Sequence, residues 1–325
     1  MSLPLVLVTH TLPAGWLASL EGKCQLVTGP VDATTLAPEL ADRLPETDGL
    51  FTLLTIPVTE ALLEVAPRLR VVSNMAVGVD NIDLQACTRR GIPVGNTPGV
   101  LTDGTADLAM ALLLAAARRL PEASQDARQG RWVTWLPADW LGADLSGGTL
   151  GIIGMGKIGN AVARRAQGFG LRLVYTDTRA LPEVANELGA TRLPLEDLLN
   201  QSDFVSLHVP LTEETRYLID EKALRSMQSS AILVNTSRGP VVDTDALTKA
   251  LQHGWIAGAA LDVTDPEPLP GDHPLYALPN CLIVPHIGSA TWNTRRRMAE
   301  LACENLLAGL EGRQLPHCVN PEVYS

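Results

Sequence analysis

The sequence predicts an α/β protein of two domains, each built on a parallel sheet. Three observations carry this expectation. Short apolar runs alternate with helix-like stretches over residues 3–95 and again over residues 149–284. One run, Thr149–Ile153, breaks into the glycine-spaced turn Gly154-x-Gly156-x-x-Gly159 and then into the helix-like Asn160–Ala166. The length of 325 residues suits about two domains.

Taken in order, Leu3–Val8 reads as a strand, Ala14–Leu20 as a helix and Cys24–Val27 as a strand. Thr35–Leu44 reads as a helix, Gly49–Leu54 as a strand, and Thr59–Ala66 as a helix. Leu69–Ser73 is a further strand, Leu84–Arg90 a helix and Ile92–Gly95 a last short strand. Such alternation builds a small parallel sheet with helices on both faces. It is complete before the glycine turn begins, so it forms a separate domain. Within it, Asn74–Ile82 follows a strand, where open α/β sheets present ligand loops. Gly78 lets backbone N–H groups approach an anion there; an ordinary connecting loop is the alternative. Leu53 and Leu54, also at a strand end, suit a pocket lining and a core role equally.

Thr102–Gln129 carries one long apolar periodicity, with Thr102 or Asp103 as cap, and predicts a helix linking the domains. Trp132, Trp135 and Trp140 follow within nine residues, with Pro137 among them and Gly142 just after. They fit neither helix nor strand spacing. They suit an arm packing on a second subunit, or a satellite core within one chain.

The glycine turn has the context of a dinucleotide fingerprint: apolar strand, tight turn, helix. Gly154 permits the turn, Gly156 keeps side chains off a pyrophosphate, and Gly159 lets helix and strand pack closely. Lys157 and Ile158 open the helix, whose N-terminus offers N–H groups to the phosphates. Five further strands follow: Arg172–Thr176, Phe204–Val209, Ala231–Asn235, Ala257–Leu261 and Cys281–Val284. With Thr149–Ile153 they make the six of a full dinucleotide fold, order 3-2-1-4-5-6. Met298–Leu310 is a final amphipathic helix, and the tail after it returns to the first domain. Asp177 ends the second of these strands. A carboxylate there accepts from the ribose hydroxyls of NAD and repels a 2′-phosphate, so NAD(H) is favoured. Arg179 beside it keeps NADP(H) as the alternative.

Composition narrows the partners. A net charge of −11 argues against nucleic acid. No apolar run is long enough for a membrane span, and Met1–His10 lacks the pattern of a signal peptide. The five cysteines show no metal-ligand spacing and suit reduced thiols in the cytoplasm.

Polar residues gather after the strand ends. Arg238 can grip a carboxylate with two parallel N–H bonds. His286 follows the last strand. Glu267, in Asp265-Pro266-Glu267-Pro268, is a carboxylate in a stiff loop, with Asp265 its rival. Hydride delivery to a ketone leaves negative charge on oxygen. A protonated His can stabilise and then protonate that oxygen, a carboxylate can hold its tautomer, and an Arg can orient the substrate.

These motifs resemble the D-isomer-specific 2-hydroxyacid dehydrogenase family over nearly the whole chain. The matching runs are Gly154–Gly159, Asn235-Thr236-Ser237-Arg238-Gly239, Leu261-Asp262-Val263 with Glu267-Pro268, and Pro285-His286-Ile287-Gly288-Ser289-Ala290-Thr291. Val77–Asn81, the tryptophan arm and Cys318-Val319-Asn320-Pro321 resemble the glyoxylate/hydroxypyruvate reductases and 2-ketogluconate reductases. The resemblance implies a Rossmann domain, residues 101–289 with a dimerisation arm, inserted in a smaller flavodoxin-like substrate domain, residues 1–100 and 290–325. It implies Arg238 as substrate anchor, His286 as acid/base and Glu267 as its partner. It also implies Val77 and Gly78 as backbone ligands of the substrate carboxylate. Cofactor contacts are implied at Thr105, Ile158, Pro210, Thr236, Asp262 and Gly288. The expected protein is a cytoplasmic homodimer reducing hydroxypyruvate, glyoxylate or 2-ketogluconate. Several glyoxylate/hydroxypyruvate reductases prefer NADPH and carry neutral or basic residues where this chain has Asp177. The alternatives are an NAD-sensing corepressor-like binding protein, disfavoured by the lack of long disordered tails, and a phosphite or formate dehydrogenase, disfavoured by the Val77–Asn81 loop.

Overall fold

A computed structural model describes residues 3–325; Met1 and Ser2, at the start of the expected N-terminal stretch, lie outside the described residues. The chain divides into two compact units, Met1–Leu101 with Thr291–Ser325, and Thr102–Ala290.

The first unit holds strands β1 (Leu5–Val8), β2 (Gln25–Thr28), β3 (Gly49–Thr52), β4 (Val71–Asn74) and β5 (Val94–Gly95). They pair in parallel in the order β2-β1-β3-β4-β5, the flavodoxin order. Strands β1, β3 and β4 are buried throughout, as sheets covered on both faces require. The helices are shorter than the sequence predicts: α1 (Pro38–Ala41), α2 (Glu60–Glu64) and α3 (Leu84–Arg89). Ala14–Leu20 supplies only a 3-10 turn at Ala18–Leu20, because Gly15 takes a positive φ of 80°. Thr35–Leu44 is cut to α1 and a 3-10 turn by Pro38 and Pro45, which start helical turns and cannot continue them. Thr59 and Asp83 cap α2 and α3 with their side chains.

The second unit opens with α4 (Thr102–Ala117) and α5 (Leu120–Arg128). The single long helix expected here is broken. Pro121 would clash with the carbonyl of Ala117, so it begins a new helix instead, and Arg119 turns the chain at φ 51°. The freed carbonyl of Ala117 accepts from the Ala143 N–H at 2.8 Å. The sheet contains β6 (Thr149–Ile153), β7 (Arg172–Thr176), β8 (Thr191–Arg192), β9 (Phe204–Leu207), β10 (Ile232–Asn235), β11 (Gly258–Leu261) and β12 (Cys281–Ile283). Their order is β12-β11-β10-β9-β6-β7-β8, one strand more than expected. The addition is β8, a two-residue edge strand too short and too polar to signal itself in sequence. Helices α6 (Lys157–Gln167), α7 (Pro182–Leu188), α8 (Leu195–Gln201), α9 (Glu221–Ser226) and α10 (Thr244–Gln252) connect these strands.

The chain then returns to the first unit as α11 (Trp292–Leu310). Ser73 on β4 donates to the Ala302 carbonyl at 2.7 Å. The tail is stitched to β5: the Val319 N–H donates to the Val94 carbonyl, and Asn320 accepts from the Val94 N–H, both at 2.8 Å. No helix of the described residues is long and apolar enough to cross a membrane.

The tryptophans between α5 and β6 form no satellite core. Trp132 and Trp135 are 75% and 78% exposed, and Trp140 lies under the Arg119 guanidinium, 5.1 Å from its ring.

Candidate functional site

The site of the second unit is assembled from loops at the carboxyl ends of its strands. After β6, Gly154 turns the chain at φ 93°. A Cβ there would lie 2.7 Å from the His208 carbonyl oxygen, and one on Gly159 only 2.1 Å from that of Gly154. Those two glycines serve the fold. Gly156 differs: no heavy atom lies within 4 Å of where its Cβ would be. It precedes α6 in extended conformation and no side chain caps the helix. An anion can therefore reach the first N–H groups of α6, with Lys157 and Ile158 in that first turn.

Asp177 follows β7 and turns its carboxylate back to the glycine loop. It accepts from the Met155 N–H at 2.9 Å and from the Arg179 N–H at 3.0 Å. The Arg179 side chain is 74% exposed, with its Nε 4.0 Å from the carboxylate. Arg192 donates to the Asp177 carbonyl at 2.7 Å. Pro210 follows β9, and Thr236 follows β10 with its hydroxyl buried and unpartnered. An open cradle over Gly156, an uncapped helix start and an orphaned hydroxyl fit an NAD(P) cofactor.

Asp262, after β11, is 2% exposed and accepts from the Ile287 and Gly288 N–H groups at 2.6 and 2.8 Å. Burial pushes its carboxyl pKa up, while those two bonds and nearby His286 oppose the shift. Thr105, in the first turn of α4, donates to the Gly288 carbonyl at 3.3 Å. Thr105, Asp262 and Gly288 thus form one cluster.

His286 belongs to the same cluster. Its N–H donates to the Asp262 carbonyl at 2.9 Å, and its φ is 50°. A non-glycine residue in the left-handed region persists only where its surroundings over-determine it. The imidazole Nδ1 meets Glu267 Oε1 at 2.6 Å. A carboxylate only accepts, so Nδ1 carries the proton of this bond and Nε2 is left to face a ligand. The other oxygen of Glu267 accepts from the Thr264 N–H at 3.4 Å. The rival Asp265 is engaged elsewhere, accepting from the Tyr217 hydroxyl at 3.2 Å.

Arg238 is brought to this corner by contacts that sequence reasoning missed. Asn235, 1% exposed at the end of β10, accepts from the Ser237 N–H and hydroxyl and donates to the Arg238 carbonyl at 2.9 Å. Gly239 then passes so close to the Thr264 backbone that a Cβ would stand 1.8 Å from its carbonyl oxygen. The Arg238 loop and the Glu267 loop therefore touch without intervening side chains. The signal available was Asn235 itself, a strand-end asparagine able to bond its own turn. Val77 and Gly78 lie in the first unit, half-buried in the loop after β4.

Residues 110–288 match the family model described as D-isomer specific 2-hydroxyacid dehydrogenase, NAD binding domain. The chain belongs to the D-isomer-specific 2-hydroxyacid dehydrogenase family. It is 52% identical to the glyoxylate reductase of Korarchaeum cryptofilum over 98% of this chain and 97% of that one. It is 48% identical to the glyoxylate reductase of Thermococcus litoralis, covering 98% of each. Among solved structures, a Thermus thermophilus protein superposes with a TM-score of 0.91 at 49% identity, over 97% of this chain and 99% of that one. An NADPH-dependent glyoxylate/hydroxypyruvate reductase from Sinorhizobium meliloti, solved with NADP and malonate, gives 0.84 at 33% identity over 99% and 98%. As a D-2-hydroxyacid dehydrogenase, the chain is an NAD(P)-dependent oxidoreductase.

Proposed function

We propose that this dehydrogenase reduces a small 2-keto acid, glyoxylate or hydroxypyruvate and by extension 2-ketogluconate, to the D-2-hydroxy acid. The observation that carries the proposal is the 2.6 Å bond between His286 Nδ1 and Glu267, on a backbone pinned to Asp262. A reduced nicotinamide held there would supply the hydride. The protein's part is electrostatic and geometric. Arg238 serves as substrate anchor, and the backbone N–H groups of Val77 and Gly78 serve as ligands of the substrate carboxylate. His286 donates a proton from Nε2 to the carbonyl oxygen as charge develops there. Glu267 keeps Nδ1 protonated, so the tautomer is right in both directions of the reaction. With Gly154 and Gly159 shaping the turn, Gly156, Lys157 and Ile158 would take the pyrophosphate, and Thr105, Pro210, Thr236, Asp262 and Gly288 would line the remainder of the cofactor.

Asp177 supports NAD(H) over NADP(H): its carboxylate, 11% exposed and aimed at the glycine loop, would face a 2′-phosphate. Two features support a homodimer in which the exposed tryptophan arm is covered. The arm carries Trp132 and Trp135 in the open. Beside it lies a cavity of about 430 Å³ lined by Ala116, Leu141, Ile232 and Leu282. The free cysteines suit a cytoplasmic setting.

The test is loss of reduced-cofactor absorbance with glyoxylate and hydroxypyruvate, run in parallel with NADH and NADPH. Turnover with NADH is expected to exceed that with NADPH. His286→Ala is expected to lower kcat by about 10²–10⁴. Arg238→Ala is expected chiefly to raise KM. Wild-type rates in both variants would remove the mechanism.

A further inference from the structure

The loop after β4 is tethered in an unusual way. Three consecutive carbonyls, those of Ala76, Val77 and Gly78, are each taken by a donor from the body of the first unit. The Thr97 N–H donates to Ala76 at 2.9 Å, Asn96 Nδ2 to Val77 at 2.8 Å, and Asn74 Nδ2 to Gly78 at 2.9 Å. Asn81 braces the same loop from its far end, donating to the Leu53 and Ile56 carbonyls, each at 3.1 Å.

Chemistry alone fixes these amide orientations. A backbone carbonyl only accepts, so Asn81 must point Nδ2 at Leu53 and Ile56 and Oδ1 at Asn74. Asn74 must then present Nδ2, which meets Asn81 Oδ1 at 3.3 Å as well as Gly78. Asn96 is fixed by the Val77 carbonyl in the same manner. The arrangement leaves Asn74 Oδ1 buried without a partner, an arrangement that stability alone would not select.

In a planar trans peptide the N–H points opposite to the preceding C=O. Tying back the carbonyls of residues 76, 77 and 78 therefore turns the N–H groups of Val77, Gly78 and Val79 away from the tethers. Among the described residues, no protein group accepts from any of these three amides. We propose that Asn74, Asn81 and Asn96 are positioning residues. With the Thr97 N–H on Ala76, they hold Ala76–Gly78 with the carbonyls inward, so that adjacent amides converge on the carboxylate of the substrate. This rests on the reading above that the loop takes that carboxylate. The asparagines themselves need not touch the substrate.

The test uses the full-length enzyme with Asn96→Asp and Asn96→Ala, measured with glyoxylate at saturating cofactor. Asn96→Asp keeps the shape but sets an oxygen against the Val77 carbonyl; Asn96→Ala removes the tether without repulsion. KM for the acid is expected to rise about tenfold or more in both, with kcat within about threefold of wild type. Cofactor Kd, read by quenching of protein fluorescence, is expected to stay unchanged. A KM within twofold of wild type in both variants would overturn the inference. So would a fall in kcat and cofactor affinity with KM preserved. A separate arm compares glyoxylate with its neutral amide on the wild-type enzyme. Equal KM values would remove the carboxylate reading itself, whereas a strong preference for the acid with silent Asn96 variants would remove only the role of the asparagines.

Discussion

In the proposed function, the loop after β6 and the loop after β4 present backbone N–H groups to an anion by opposite means. The loop after β6 works by omission. Gly154 and Gly159 let strand, turn and helix close on one another, and an eleven-residue helix supplies aligned amides behind the open space at Gly156. The loop after β4 has no such helix: the next one, α3, begins at Leu84 and is six residues long. It works by addition, with the Thr97 N–H and the side chains of Asn96 and Asn74 pulling three successive carbonyls inward. A helix dipole makes an anion site with little help from side chains. A bare loop needs each peptide held individually.

The contrast is broken most forcefully at Gly159. A Cβ there would stand 2.1 Å from the Gly154 carbonyl oxygen, which is backbone and cannot yield cheaply. Gly159→Val is expected to cost several kcal/mol of stability, of the order of 3 or more, and to abolish cofactor binding. Urea denaturation and cofactor titration of the whole chain would check it. Near-wild-type values for both would mean that the turn is held by something other than close packing.

The same contrast explains what the sequence disclosed. The glycine loop was legible as a candidate site because it is written in contiguous residues whose types have few other uses. The same holds for Asp177, Arg238 and His286, each just after an apolar strand. The asparagine tethers were not legible. Asn74, Asn81 and Asn96 are scattered, their partners are backbone carbonyls that carry no residue identity, and asparagine is common in any loop. The choice of Glu267 over Asp265 needed either the family resemblance or the coordinates, since two carboxylates so close in sequence point to different partners. The break between α4 and α5 could have been foreseen from Pro121, but the unbroken apolar periodicity masked it. The two-residue strand β8 left no periodic trace at all.

A difference in acid sensitivity sharpens the comparison. The tethers of the loop after β4 do not titrate. The glycine turn, however, packs against the backbone of His208, whose Nε2 meets the Ser206 hydroxyl at 2.8 Å and whose Nδ1 is buried without a partner. Burial pushes the His208 pKa down to about 3. The folded ring stays neutral while the unfolded chain, at the ordinary value of 6.5, takes up a proton as the pH falls. The unfolded state thus binds more protons below about pH 6.5, and stability is lost as the pH drops through that window. Between pH 7.5 and 5 this contribution amounts to about 2 kcal/mol. Denaturation of wild type and His208→Asn at both pH values isolates it. The variant is expected to start less stable at pH 7.5 and to lose about 2 kcal/mol less on acidification. Equal losses would show that a proton reaches the folded ring.

The smallest expected change in stability separates what the fold requires of the glycine loop from what the cofactor requires. Gly156 sits at the N-cap of α6 with φ −72° and ψ −161°, a conformation open to any residue, and its missing Cβ faces open space. Serine is a favoured N-cap, because its hydroxyl accepts from an N–H two or three residues on. Gly156→Ser is therefore expected to leave the chain as stable as before, or more stable by a few tenths of a kcal/mol. The same hydroxyl would occupy the space where the pyrophosphate must approach and engage the N–H groups it needs. Cofactor affinity is expected to fall about tenfold or more while the thermal midpoint holds or rises. Opposite signs on the two readings would mean that this glycine is kept for the ligand and against the helix. Parallel losses would mean that it serves the turn, as Gly154 and Gly159 do.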